Sequence, residues 1–297
     1  MAPPDRKRAA DFPPEVLELF DGYVHNALDR RDFLSRAAKY AVGGMTALAM
    51  LEALQPNFAW AEQVSRTDER ITTDYVTYPS PKGSGEMKGY LARPKTKGKQ
   101  PGVVVIHENR GLNPYIEDVA RRLALHDYVA FAPDALTPLG GYPGNEDKGR
   151  ELFAKLDPAK RTEDLVAAAE YVKARRDVTK KIGAVGFCFG GGACNTLASR
   201  LPWLAAAVPF YGPGASAEEA KSIKAPLQLH FAETDERVNA TWPAYEAALK
   251  GAGVRYEAHH YPGTQHGFHN DTTPRYDDAA AKRAWARTLG FFLQHLR

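Results

Sequence analysis

A chain of 297 residues, 44% hydrophobic and 25% charged, has ordinary globular composition and room for one large α/β core or two smaller domains. Its 39 basic and 36 acidic residues leave a formal charge of +3 with the two signs interspersed, which argues against a nucleic-acid partner. Cys188 and Cys194, six apart on what reads as one turn and the helix after it, stand roughly 9 Å from each other, so a disulfide framework is excluded.

Residues 1–65 read as an N-terminal extension. Within it DRRDFLSRAAKYAVGGMTALAMLEALQPNFAWA (29–61) places Arg30 and Arg31 before Phe33-Leu34, an apolar run from Tyr40 to Leu51, and then Ala59-Trp60-Ala61. This resembles a twin-arginine export signal with an A-x-A cleavage site, and its use would put the protein in the periplasm or outside the cell. The competing reading is an amphipathic helix folded on the body of a cytoplasmic protein. A stable membrane span is not expected, because Glu52 ends the run well short of about 20 apolar residues.

From residue 66 onward short β-branched runs alternate with amphipathic segments, the pattern of a doubly wound, mostly parallel sheet covered on both faces. Strands are expected at 71–78, 87–93, 102–107, 128–133, 181–187, 204–211, 225–232 and 254–261. Helices fit at 116–127, 162–176, 191–200, 242–251 and 279–296. The first two strands have no helix between them and should form an antiparallel hairpin at the sheet edge. The strands at 204–211 and 225–232 are likewise joined without a helix in this reading. Ligand sites in such sheets lie beyond the carboxyl ends of the strands.

At one of those ends stands GAVGFCFGGG (183–192). Gly186-Phe187-Cys188-Phe189-Gly190 has the form of a nucleophile elbow with Cys in the place of Ser. Glycines two before and two after allow strand and helix backbones to approach, and the helix amino end favours a thiolate and an oxyanion. A lone Cys near glycines is more often a buried small hydrophobe. Its companions decide between the two readings, for Asp235 and then His266 each follow a later strand end, the chain order of α/β-hydrolases. In that arrangement His266 takes the thiol proton, and Asp235, with Glu233 and Glu236 as rivals, orients the imidazole. Cys194, inside the helix, reads as core.

The strand GVVVIH runs into Glu108-Asn109-Arg110, and the loop after this early strand supplies the second oxyanion N–H in such folds. The backbone amides of Asn109 and Phe189 are therefore the expected hole. Glu108, beside an apolar strand end, is expected to be partly buried near the thiol and to alter its proton balance. His266 and His269 stand at i, i+3 without a companion set of ligands, so no metal and no cofactor is expected. His107, His230, His259 and His260 read as surface or satisfied core groups.

Taken together, HENRG (107–111), GFCFGGG (186–192), Asp235 and QHGF (265–268) resemble the dienelactone hydrolase family, the carboxymethylenebutenolidases, over residues of about 70 to 297. The resemblance implies an α/β-hydrolase fold and a Cys188, His266, Asp235 triad. It further implies a Glu108 that holds the thiol uncharged at rest and releases it when substrate enters. The implied reaction is hydrolysis of a small-molecule ester or lactone through an acyl-thioester, with no metal or cofactor. One departure concerns the arginine that lactone-specific members carry shortly after the His. Here His269 and Asn270 follow, with Arg275 nine residues on, so Arg110 or Arg275 is left to meet a substrate carboxylate. Tyr142, in a segment (139–152) expected to cover the site, and His269 are further candidate contacts. A non-hydrolytic alternative, a redox sensor or carboxylate binder built on Cys188, needs no acid-ordered histidine, and Cys194 is badly placed to resolve an oxidised thiol.

Overall fold

The computed structural model describes residues 7–41, 45–60 and 62–297. Ala61, which ends the A-x-A triplet, and residues 42–44 of the apolar run lie outside the described residues.

Among its described residues the extension holds three α-helices, α1 (Pro14–Val24), α2 (Arg30–Ala37) and α3 (Ala47–Leu54), rather than one. Val16, Leu17, Phe20, Tyr23 and Val24 recur at helical spacing on α1 and are buried. They meet Phe33 and Ala37 of α2 and Met50, Leu51 and Leu54 of α3 in an apolar core separate from those of the sheet. The twin arginines open α2, where Asp29 caps the helix through the amide of Asp32 and Arg30 pairs with Asp147 of the body at 3.3 Å. No helix among the described residues is long and apolar enough to cross a membrane.

The body begins with β1 (Ile71–Ser80) and β2 (Gly85–Pro94), the expected antiparallel hairpin, registered from Ile71 opposite Pro94 to Ser80 opposite Gly85. Then come β3 (Gln100–Ile106), α4 (Pro114–Ala124), β4 (Val129–Pro133), α5 (Glu146–Phe153), α6 (Pro158–Ala174), β5 (Val178–Phe187), α7 (Phe189–Arg200), β6 (Ala206–Phe210), α8 (Ala217–Ser222), β7 (Leu227–Ala232), α9 (Glu236–Asn239), α10 (Trp242–Gly251), β8 (Tyr256–Tyr261) and α11 (Asp278–Leu296). The sheet order is β1-β2-β4-β3-β5-β6-β7-β8, antiparallel across its first two pairings and parallel thereafter. The direct run from β6 to β7 expected from sequence is corrected by α8. Parallel neighbours need a crossover, and this short helix supplies it.

Val103, Val104, Val105 and Ile106 of β3 are all buried, as befits a central strand covered on both faces. Side chains of α4 and α11 cover one face, and those of α6, α7 and α10 cover the other. Register then places the site. Ile106 lies opposite Gly186, Phe187 opposite Phe210, and Ala232 opposite Tyr261. The carboxyl ends of β3, β5 and β6 are thus level, and the loops beyond them and beyond β7 and β8 crowd one edge of the sheet.

Candidate active site

The turn from β5 into α7 is too tight for a side chain at its flanks. A Cβ on Gly190 would stand 2.2 Å from the carbonyl oxygen of Ile106, and one on Gly186 would stand 2.1 Å from that of Gly190. Gly190→Ala is accordingly expected to cost about 3 kcal/mol, read as a lowered thermal midpoint, whereas an unchanged midpoint would show that the turn can relax. Between them Cys188 takes φ 55° and ψ −113°, a strained conformation for a residue other than glycine. The strain is held from both sides. The Cys188 N–H donates to the carbonyl of Phe210 at 3.0 Å, and its own carbonyl accepts from Gly191 N–H at 3.0 Å. Sγ is thereby aimed off the amino end of α7, while Cys194 is buried in the core and its thiol is pushed up by that burial.

Asp235 and His266 come together at the same edge. His266 Nδ1 lies 2.5 Å from Asp235 Oδ2, and both residues are buried. A carboxylate can only accept, so Nδ1 carries the hydrogen and Nε2 is the nitrogen left for the thiol. Among the described residues no ordinary hydrogen-bond partner reaches that Nε2. The loops are pinned to each other, for Thr234 N–H donates to the carbonyl of Thr264 at 3.1 Å and Gly263 N–H donates to Glu233 at 2.7 Å. Glu233 is therefore a staple, Glu236 is exposed, and the acid on the imidazole is Asp235.

Burial alone would raise the Cys188 thiol, but the His266 and His25 imidazoles carry it well below its ordinary range. Conversely, burial would lower His266, yet the neighbouring Cys188 and Asp235 raise it to about 10. Asp235 sits below the usual carboxylate range because His266 outweighs the penalty of burial. All three shifts favour charge on the Cys188–His266 pair, with the Asp235 carboxylate holding the imidazole side of it.

Glu108 is 8% exposed, and burial, with the Cys188 charge adding to it, raises its carboxyl. It accepts a hydrogen bond from Asn270 Nδ2 at 3.0 Å. The next residue, Asn109, gives its side-chain amide to the carbonyl of Val24 at 2.8 Å. Phe189 opens α7, where helix amides have no intrahelical acceptor. His107 is locked as a neutral ring, its Nδ1 donating to the carbonyl of Glu108 and its Nε2 accepting from Ala135 N–H.

The candidate substrate contacts are engaged internally. Arg110 pairs with Glu146 at 2.8 Å, and Tyr142 donates to the same carboxylate at 2.8 Å. His269 is bonded to the Tyr115 hydroxyl at 2.7 Å and stacks on Phe187, so it lies in the core and not on the thiol. Arg275 pairs with Asp21 of the extension at 3.3 Å and lies over the Phe20 ring.

Two residues that the sequence reading did not select also reach the site. His25, at the carboxyl end of α1, places Nε2 3.4 Å from Cys188 Sγ, and its ring meets that of His266 edge-on at 4.7 Å. Its Nδ1 is 2.8 Å from the carbonyl of Asp21 and 3.2 Å from that residue's carboxylate, while Arg237 donates to Nε2 at 3.0 Å. Burial would lower His25, but Cys188 and Asp21 raise it. Nothing in local spacing marks this histidine, which is 163 positions away from its thiol. Tyr211 follows β6 with φ 36°, its ring 5.0 Å from that of His266, and its buried hydroxyl lacks an ordinary hydrogen-bond partner among the described residues.

The extension also ties the site to the body elsewhere. Arg150 of α5 donates to the carbonyl of Tyr23 at 2.7 Å and to Asn26 at 2.8 Å, with its guanidinium over the Tyr23 ring.

Comparisons with known proteins show the family to which this fold belongs. A sequence model of the dienelactone hydrolase family matches residues 87–296, and a YqhI-like model matches residues 3–39. A Synechocystis protein named as a carboxymethylenebutenolidase is 33% identical over 245 residues, covering 76% of this chain and 98% of its own. YghX of Escherichia coli K12, named as a hydrolase fragment, is 63% identical over 115 residues, which is 38% of this chain and 98% of that one. Among solved structures, one named as a dienelactone hydrolase from Klebsiella pneumoniae superposes with a TM-score of 0.68 at 29% identity, over 75% of this chain and all of its own. With an eight-stranded, mostly parallel sheet and an acid, a histidine and a thiol at its carboxyl edge, the chain belongs to the dienelactone hydrolase family and is a carboxylic ester hydrolase of α/β-hydrolase fold.

Proposed function

We propose that Cys188 is the nucleophile of this hydrolase and that an activated ester or lactone is cleaved through an acyl-thioester on its Sγ. The observation that carries the reading is the strained elbow aiming Sγ at a histidine whose other nitrogen is held by Asp235 at 2.5 Å. The thiolate attacks the carbonyl carbon, and the electron pair moves to the carbonyl oxygen, which the backbone amides of Asn109 and Phe189 receive. His266 then protonates the leaving alkoxide. In the second half it takes a proton from water, and the resulting hydroxide releases the acid from the thioester.

Glu108 acts on this cycle through its charge. Buried near Cys188, its negative charge opposes the thiolate that His266 and His25 favour, and it is expected to lose that influence when a substrate displaces it. With Arg110 and Arg275 held by Glu146 and Asp21, neither is free for a substrate carboxylate in this arrangement. Uncharged esters and lactones are therefore the preferred class over diacid precursors. The extension lies against the reacting thiol through His25, so we take the chain that keeps it as the working enzyme.

Incubation with a slow aryl ester, acid quench and peptide mass spectrometry should find the acyl mass on the peptide carrying Cys188. Turnover with acyl mass found only elsewhere would remove Cys188 from the role.

A further inference from the structure

His25 has no task in the cycle above, which needs one histidine and not two. Yet a ring nitrogen of His25, Sγ of Cys188 and a ring nitrogen of His266 lie within 4.8 Å of one another. The His25 edge of this triangle is 3.4 Å. Two nitrogens and a sulfur on a tetrahedral zinc ion stand roughly 3.3–3.6 Å apart. The backs of both rings are also arranged as metal-bound imidazoles require. His266 Nδ1 is on the Asp235 carboxylate and His25 Nδ1 is on Asp21, which fixes Nε2 as the ligand atom in each case. His266 Nε2 is buried and lacks an ordinary hydrogen-bond partner among the described residues.

We propose that His25, Cys188 and His266 form a three-ligand site for a borderline divalent cation, Zn²⁺ first among them, with its fourth position open. Thiolate and imidazole are ligands that select zinc over magnesium or calcium. Binding forms one Zn–S and two Zn–N bonds, and the one proton that the Cys188–His266 pair carries leaves to buffer. Arg237, which donates to His25 Nε2 at 3.0 Å, is exposed and gives up that contact when the ion enters. Since the metal takes the sulfur that would attack an ester, zinc and substrate exclude each other. That consequence rests on the proposed nucleophile, whereas the binding itself does not. The hydrolase body supplies only two ligands, so the site depends on the helical extension.

The test uses the full-length chain stripped with a chelator and titrated calorimetrically with zinc chloride, and separately with Co²⁺ followed by absorption. One ion per chain is expected, with a thiolate-to-cobalt charge-transfer band and tetrahedral ligand-field bands. His25→Ala and Cys188→Ala should each weaken zinc at least ~100-fold, and Asp21→Asn should weaken it ~10- to 100-fold, all with unchanged far-ultraviolet circular dichroism. Absence of the charge-transfer band in the wild-type chain, or wild-type zinc affinity in a folded His25→Ala or Cys188→Ala protein, would overturn the site. Neither result bears on acyl trapping at Cys188, so the two readings fail separately.

Discussion

Cys188→Ala is expected to lower kcat/KM for a p-nitrophenyl ester on the order of 10⁴-fold or more, leaving only what the oxyanion amides and binding supply. The substitution removes one sulfur and keeps the Cβ, so the turn keeps its strained backbone and its bonds to Phe210 and Gly191. Near-ultraviolet circular dichroism should therefore match the wild type. A loss of this size in a folded protein has few other sources, because Cys194 is buried in the core and cannot substitute. Activity within tenfold of the wild type would mean that some other group attacks, and Tyr211, beside His266 with a strained backbone, would be the next to replace.

Asp235→Asn should cost a similar factor, about 10⁴ in kcat, through a different atom. The carboxylate accepts from His266 Nδ1–H at 2.5 Å and so fixes which nitrogen faces the thiol. An asparagine can turn its NH₂ toward Nδ1, which moves the ring hydrogen to Nε2 and leaves no acceptor for the Cys188 proton. It also removes the negative charge that helps raise His266 to about 10, so the thiolate loses its cation. Stability should change little, since Asp235 also caps α9 through Val238 N–H, and asparagine is an equally good cap. The discriminating measurement is the alkylation rate of Cys188 against pH. It should shift to higher pH in the variant, and a superimposable profile would show that Asp235 only positions the loop.

Much of this edge of the molecule was legible in the chain because its signals are local. The glycines at 186 and 190 announce a turn that excludes Cβ atoms, and strand ends before Asp235 and His266 are visible as apolar runs that stop. The hairpin of β1 and β2 followed from the missing helix between them. What the chain does not display has a tertiary cause. AEEAKS, the sequence of α8, buries only Ala220 and so has no apolar stripe to read, although the rule for parallel strands demands a crossover there. Arg110, Tyr142 and His269 looked available because sequence does not display Glu146 and Tyr115 as their partners. In the extension, an apolar run near paired arginines has the composition of a signal and of a small helical core alike, and the packing of Phe20, Phe33 and Leu51 into one cluster is not written in either composition. His25 was invisible for the same reason.

The contact between His25 and Cys188 also has a consequence in time. During synthesis α1 to α3 leave the ribosome before the strands of this sheet, and Cys188 and His266 follow well behind them. Closing a loop of 163 residues costs entropy that nothing repays until the sheet has formed. The Asp21 pair with Arg275 spans 254 residues and must wait longer still. For most of its making the protein therefore carries α1 and its neighbours without the sheet edge they will lie on. The Cys188 sulfur acquires its full surroundings only in the last steps of folding.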